Sequence, residues 1–473
     1  MKKLIYIAIA MLAFSSCKKE WLDVAPSNAV PAEKSIETLG DAQVALNGVY
    51  NTLQSSDYYG ADLITYGDVR GEDMRTYKMG KRTFDAYAFT HSTDATIGGL
   101  WKEPYVVISL VNNILANIDA LEVEPSEQAI AKDVKGQAYA LRALALFDLT
   151  RLHGYSYKKD NGVSFGVPII TSYLQPDAQP KRNTVAECYE QVIRDLNSAD
   201  ELLNENVANG FINKWAAKSL LSRVYLYMGE DELALTAAES VINAGKYNLI
   251  SKDKYVESWA AAFTSESVFS IVNTGEDNAD REALGYLYDP EGYGAITLTD
   301  KYIAMISQDA SDVRAQLLTH DARTGETVAE QRLGLLLKYP GIDHADSRVN
   351  NVPVIRLAEV YLIAAEAAVS VNNAKAVDYL NTIHEARTGN IDVFASVTLQ
   401  DVMLERRKEL VGEGHRFFDG IRNGETIDRT GEDQFFTDEY TFINWDVEKS
   451  ILPIPRRELD VNMNIQQNPG YQK

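Results

Sequence analysis

Cysteine is close to absent: the 473-residue chain has two, Cys17 and Cys188. With Cys17 at the end of an export signal, Cys188 has no partner, so an internal disulfide is excluded and stability must come from a core. Cys188 itself, inside a helical pattern, reads as a small buried apolar residue. Histidine is sparse too. The six, at positions 91, 153, 320, 344, 384 and 415, show no H-E-x-x-H or other paired spacing, which removes the common zinc-ligand patterns. No phosphate-cradling Gly-Lys loop and no dinucleotide fingerprint occurs. Positive charge is in deficit: 46 Lys and Arg stand against 68 Asp and Glu, a net charge of −22. Such a balance repels phosphate backbones and sets nucleic acid aside as a partner.

A long apolar run is found at the N-terminus and nowhere else. Lys2 and Lys3 precede an apolar stretch from Leu4 to Phe14, then Ser15 and Ser16, then Cys17. The run is shorter than the about 20 apolar residues a membrane-spanning helix needs, and its small-small-Cys ending differs from an A-x-A cleavage site. It is similar to a bacterial lipobox, in which residues 1–16 are the signal peptide and Cys17 carries the lipid. Each buried methylene contributes about 0.8 kcal/mol and one chain anchors marginally, so several chains on one cysteine would hold durably. Residues 17–34, with Pro26, Ser27 and Pro31, suit a flexible tether. Lipid is the expected membrane attachment, and no other is visible.

The body, 35–473, reads as mostly α. Apolar residues recur at three- and four-residue spacings over Ala42–Leu53, Val106–Leu121, Asp133–His153, Thr184–Leu203, Lys214–Met228, Glu230–Ala244, Val354–Ser370, Ala374–Arg387 and Leu399–Val411. Ala216, Ala217 and Ser219, then Gly229, then Ala234, Ala237 and Ala238 put small residues at close helix contacts. Ala364, Ala365, Ala368, Ala374 and Ala376 repeat the device around an Asn372-Asn373 turn. Paired helices of this kind are the mark of tetratricopeptide-like hairpins, which bury their faces by stacking. The expected architecture is a tetratricopeptide-like helical-hairpin scaffold with a loop-rich insertion containing short strands. It divides into 35–246 with the first helices, 247–353 as the insertion with a strand near Glu266–Val272, and 354–473 with the last helices and an irregular tail.

Aromatic content points to a ligand: 26 Tyr and 5 Trp, many in loop-like segments. A saccharide offers apolar C–H faces and rings of hydroxyls, so its site needs flat aromatic platforms beside polar groups that fix orientation. Two stretches combine both, and they supply the candidate ligand-binding residues: Tyr59, Asp68, Arg70, Asp73, Arg75 and Tyr77 in the first, Tyr286, Tyr288 and Tyr293 in the second. Trp101, Trp215, Trp259 and Phe263 read as core; Trp445 is ambiguous. Gly162-Val-Ser-Phe-Gly166 spells a nucleophile elbow, but Lys158–Asn161 before it and Val167-Pro168 after it supply neither the strand nor the helix an elbow requires. His415 reads as an ordinary helix-end residue. Arg142, Arg356, Arg406, Arg407, Glu409, Glu413, Arg416 and Asp419, interleaved with apolar helix faces, read as packing ion pairs.

Ordered motifs along nearly the whole chain resemble the SusD/RagB family. In the first half they are Gly136–Gly154, Gly166-Val-Pro168, Arg182–Glu187 and Asp195-Leu196. In the second they are Arg356–Leu362, Ala365–Ala367, Glu405–Leu410, Gly412–Gly414, Arg416–Asp419, Ile454-Pro455 and Gln467–Tyr471. The resemblance implies an outer-membrane lipoprotein on a tetratricopeptide-like scaffold, without catalytic activity, that captures oligosaccharide, or in some members peptide. It implies a SusC-type TonB-dependent transporter as partner, over which the protein sits as a lid. Two other classes stand beside this: a surface glycoside hydrolase using a carboxylate pair such as Asp73 and Asp289, and a scaffold of the transporter complex that binds no ligand. No cofactor or metal is called for by any motif, and a structural Ca²⁺ in an acidic loop is left open.

Overall fold

A computed structural model describes residues 36–94, 98–175, 177–207, 209–431, 434 and 438–472. Cys17 and the tether expectation fall outside them. In chain order the elements are α1 (Leu39–Leu53), α2 (Asp62–Val69), β1 (Met74–Thr76), α3 (Phe84–Ala88), α4 (Gly99–Asn117), α5 (Gln128–His153), α6 (Val185–Leu202), α7 (Lys214–Met228) and α8 (Asp231–Asn243). There follow β2 (Ser267–Ile271), α9 (Leu284–Tyr288), β3 (Ile296–Leu298), α10 (Asp300–Ile306), β4 (Leu318–Asp321), β5 (Arg332–Leu336) and β6 (Val352–Arg356). The chain ends with α11 (Leu357–Val371), α12 (Asn373–Thr388), α13 (Leu399–Leu410), α14 (Arg416–Arg422), β7 (Thr426–Asp428), β8 (Phe442–Asn444) and α15 (Arg456–Val461).

The long helices form one stack: α1 on α4, α4 on α5, α5 on α6, α6 on α7, α7 on α8, α8 on α11 and α11 on α12. Small residues let them approach, since Ala216, Ala234, Ala238, Ala364, Ala365, Ala367 and Ala368 are all fully buried. Local chemistry sets the ends. Thr184 and Glu187 close a capping box at the start of α6, Asn213 accepts from the Ala216 amide at the start of α7, and Gly229 ends α7 in the left-handed region. The chain leaves the stack after α8 and returns as β6, which pairs antiparallel with β2. Everything between is the insertion.

Buried ion pairs tie distant segments. Arg223 of α7 forks onto Glu359 of α11 at 2.7 and 2.6 Å. Glu409 of α13 takes Arg314, Arg356 and Arg387 at 3.2, 3.1 and 3.0 Å, and Glu266 takes Arg356 and Arg387. Arg406 and Arg422 share Asp419, and Arg142 forks onto Asp195. The interleaved charges thus pair across helices, as their positions suggested.

Three local expectations need correction. Helix α4 begins at Gly99 and runs through Pro104, because burial of Leu100, Trp101 and Pro104 outweighs the one hydrogen bond a proline removes. Val354–Arg356 form strand β6 and not the start of a helix, since β2 supplies a partner. Residues 62–69, dense in Asp, Gly and Tyr, are helical where a loop was expected, and seven of the eight are buried. Trp101 and Trp215 are core, whereas Trp259 is half-buried and Phe263 lines the wall of a cleft.

Candidate functional site

The two tyrosine-rich stretches meet. Strand β1 pairs antiparallel with β3, Arg75 opposite Thr297 and Thr76 opposite Ile296, and the Tyr77 amide extends the ladder by donating to the Ala295 carbonyl at 2.7 Å. Side chains alternate across a strand. Met74 and Thr76 therefore point into the core, while Arg75 and Tyr77 are half-buried on the outer face.

On that face the Arg323 guanidinium lies 3.8 Å from the centre of the Tyr77 ring, oriented by a fork onto Asp321 (2.8 and 2.7 Å) and a bond to the Gly294 carbonyl (2.9 Å). The Arg82 guanidinium stands 4.7 Å from the Tyr293 ring and donates to its hydroxyl at 3.2 Å, and Tyr286 meets Tyr293 edge-on at 5.4 Å. Lys81 donates to the Tyr293 carbonyl, and Arg82 pairs with Glu282. Tyr77, Tyr286 and Tyr293, all half-buried, with guanidinium, hydroxyl and carboxylate groups around them, form a face of aromatic surface ringed by hydrogen-bonding groups.

Arg75 stays beside Tyr77 on the outer face, whereas beneath it Tyr59, Asp68, Arg70 and Asp73 are buried and structural, a correction to their expected role. Tyr59 is buried and donates, with Tyr58, to Asp148 at 2.8 and 2.6 Å. Arg70 is fully buried among the rings of Tyr66, Phe89 and Phe417, its carbon 4.7, 3.6 and 4.6 Å from their centres. Asp73 is buried against Arg407. Asp68 is buried and accepts from the Gly414 amide at 3.1 Å and the Tyr288 hydroxyl at 3.2 Å. Burial pushes its carboxyl up to about 8, against the opposing pull of those two donors and Lys338. A ligand cannot reach groups that the core seals from the surface. Tyr288 is also buried, yet it lines a recess of about 210 Å³ with Asp289, Tyr339 and Ser347.

The close approach that brings α2 under the site depends on glycine. A Cβ on Gly67 would lie 2.0 Å from the Gly414 carbonyl oxygen. Arg82, Arg323 and Lys81 were not among the candidates from sequence. A signal for the first two existed in Lys81-Arg82 soon after Tyr77, and in the Asp321-Ala-Arg323 turn.

The hydrolase pair does not form a shared cleft: Asp73 is sealed against Arg407, and Asp289 accepts from Ser347 at 2.7 Å. Ser164 lies in an irregular loop and donates to Asp160. His415 is buried, which pulls its imidazole down to about 4. Among the described residues no group of three or more His, Cys, Asp or Glu is arranged to hold a metal, and no helix is long and apolar enough to cross a membrane.

A family model described as the SusD family matches residues 156–471, and a second, described as starch-binding associating with outer membrane, matches residues 20–226. Among solved structures, a candidate sugar-binding protein of Bacteroides vulgatus is 41% identical, with a TM-score of 0.88 over 93% of this chain and 100% of that one. SusD-like protein P2 of Formosa agariphila is 26% identical over 98% of both chains. A laminarin-binding SusD-like protein, 23% identical, shares the fold at a TM-score of 0.74 over 92% of this chain and 100% of that one.

Proposed function

The chain belongs to the SusD family, and on that premise we propose that it is a non-catalytic surface lipoprotein. In this reading it captures extracellular oligosaccharide on the β1–β3 face and passes it to a SusC-type TonB-dependent transporter. Cys17 carries the anchor, and the body acts as the transporter's lid. The observation that carries the capture site is the convergence of Tyr77, Tyr286 and Tyr293, from stretches about 200 residues apart, on one half-exposed face rich in hydrogen-bonding groups. The burial of Asp73 against Arg407 removes one partner of the carboxylate pair a glycoside hydrolase would need and favours binding without chemistry.

Calorimetry of the purified protein against starch, laminarin and other glycans, with mixed peptides as a separate arm, tests the reading. One glycan class should bind, and Tyr77→Ala or Tyr293→Ala should weaken it about tenfold, the scale of one aromatic contact. Both rings are half-exposed, so thermal unfolding should hardly move. Glycan affinity indifferent to both substitutions would place capture elsewhere, and binding confined to the peptide arm would change the ligand class. For the assembly, a Cys17→Ser variant should leave the membrane fraction, and the native protein should co-purify with a TonB-dependent transporter.

A further inference from the structure

A second concavity lies apart from the β1–β3 face and shares none of its residues. It is a cleft of about 340 Å³ between α1, the turn at Gly210 and the end of β2, within the range of about 300–1,000 Å³ typical of small-molecule sites. We propose that this cleft is a second binding site for a neutral saccharide, a reading that rests on the protein being a glycan binder.

Its walls are built and held. Phe211 is 42% exposed although its ring packs edge-on to Tyr50 at 5.0 Å. Tyr50 in turn is pinned by its hydroxyl, which donates to Gln137 at 2.6 Å and accepts from the Ile212 amide at 3.0 Å. Gly210 has a positive φ of 79°, and a Cβ there would meet Val272 at 2.4 Å, so glycine is what lets the turn seat against the end of β2. On the other side Gln54 donates to the Val272 carbonyl, clamping α1 to the same strand end. An exposed aromatic platform held this firmly loses little freedom on binding.

The polar groups select the ligand class. Asn47 and Asn51 project from α1, and Asn47 is exposed. Asp277 is the one charged side chain among the described lining residues. Nothing in the cleft would neutralise a phosphate, a sulfate or a peptide carboxylate, whereas amides supply both donors and acceptors to a ring of hydroxyls. Aromatic faces from Phe211 and Phe263 beside neutral amides suit a sugar ring that carries no charge.

Calorimetric titration of the full protein with maltohexaose, laminarihexaose and cellohexaose tests this. Phe211→Ala removes the platform, and Asn47→Arg fills the mouth from an exposed helix position; neither should alter the melting temperature. Wild type should show two binding events, one of which weakens by about tenfold in each of these variants and persists in Tyr77→Ala. Titrations of Phe211→Ala and Asn47→Arg that match wild type, or no binding of any of the three neutral probes, overturn the proposal. Binding lost in Tyr77→Ala alone would remove the cleft while leaving the β1–β3 reading intact, and binding lost in Phe211→Ala and Asn47→Arg alone would do the reverse.

Discussion

Replacing Asp68 by Asn should make the protein more stable at neutral pH, and the gain should shrink as the solution is acidified. The carboxyl is buried under the β1–β3 face and holds its proton to about 8, against the ordinary aspartate value of 3.8. Because the folded-state value is raised, the contribution is fully present below the unfolded value and is lost as pH rises toward the folded one. Between about pH 5 and about pH 7.5 the unfolded chain has given up the proton and the native state still binds it. With 1.36 kcal/mol per unit, that interval removes about 3 kcal/mol of stability from wild type. Asn has the same shape, carries no proton to lose, and its carbonyl can accept from the Gly414 amide and the Tyr288 hydroxyl as the carboxyl does. Urea unfolding of both proteins across this range gives the difference directly, and every other titrating group cancels from it. The gap between variant and wild type should widen by about 3 kcal/mol from acid to neutral. A gap constant with pH would mean that Asp68 ionises normally in the folded protein, and the account of a neutral carboxyl supporting the site would fail.

His153 carries the opposite sign: burial, with Arg182 nearby, pulls it down to about 3, so native stability is lost as pH falls below about 6.5, by about 2 kcal/mol at about pH 5. In His153→Gln that loss should vanish from the same urea series. Glu409→Ala leaves Arg314, Arg356 and Arg387 without their shared carboxylate and should reduce stability by about 3–5 kcal/mol in denaturant melts. Gly67→Ala drives a methyl into the Gly414 carbonyl, so unfolding should ease by about 1–3 kcal/mol. Thr184→Ala opens the capping box of α6 and should lower stability by about 1 kcal/mol.

The scaffold was legible because its helices carry their own instructions. Lys214–Met228 is bounded by an Asn cap and a left-handed Gly, and sequence and structure agree on both ends. Where tertiary pairing decides, local pattern misleads: Val354–Arg356 has the apolar character of the helix that follows, and β2 alone makes it a strand. The site was half legible for a related reason. Composition found the two stretches that converge, since Tyr, Asp and Arg in loops signal a surface. It could not tell which side of a short strand or buried helix each residue occupies. Asp68 and Tyr288 find each other inside, while Tyr77 and Tyr293 stay outside. Arg82 and Arg323 escaped notice because their role depends on rings more than 200 residues away.

The buried charges beneath the face explain why such a site can be shaped by loops and still be rigid. Glu72 is forked by Arg416 at 2.8 and 2.7 Å, Asp73 is held by Arg407, and Asp68 receives the Gly414 amide. Three acidic residues of the first stretch, Asp68, Glu72 and Asp73, are therefore fastened to one short segment, residues 407–416, which α13 and α14 anchor to the helical stack. Burying Glu72 and Asp73 as charges is expensive unless each is paired, and Asp68 is held as a neutral, bonded carboxyl, so the strand they lead into has one low-energy position. Tyr77 inherits that position through β1, and Tyr293 inherits it through the β1–β3 ladder. The ordering that a ligand would otherwise have to impose has been completed during folding, which lets a shallow face hold a flexible sugar with few contacts.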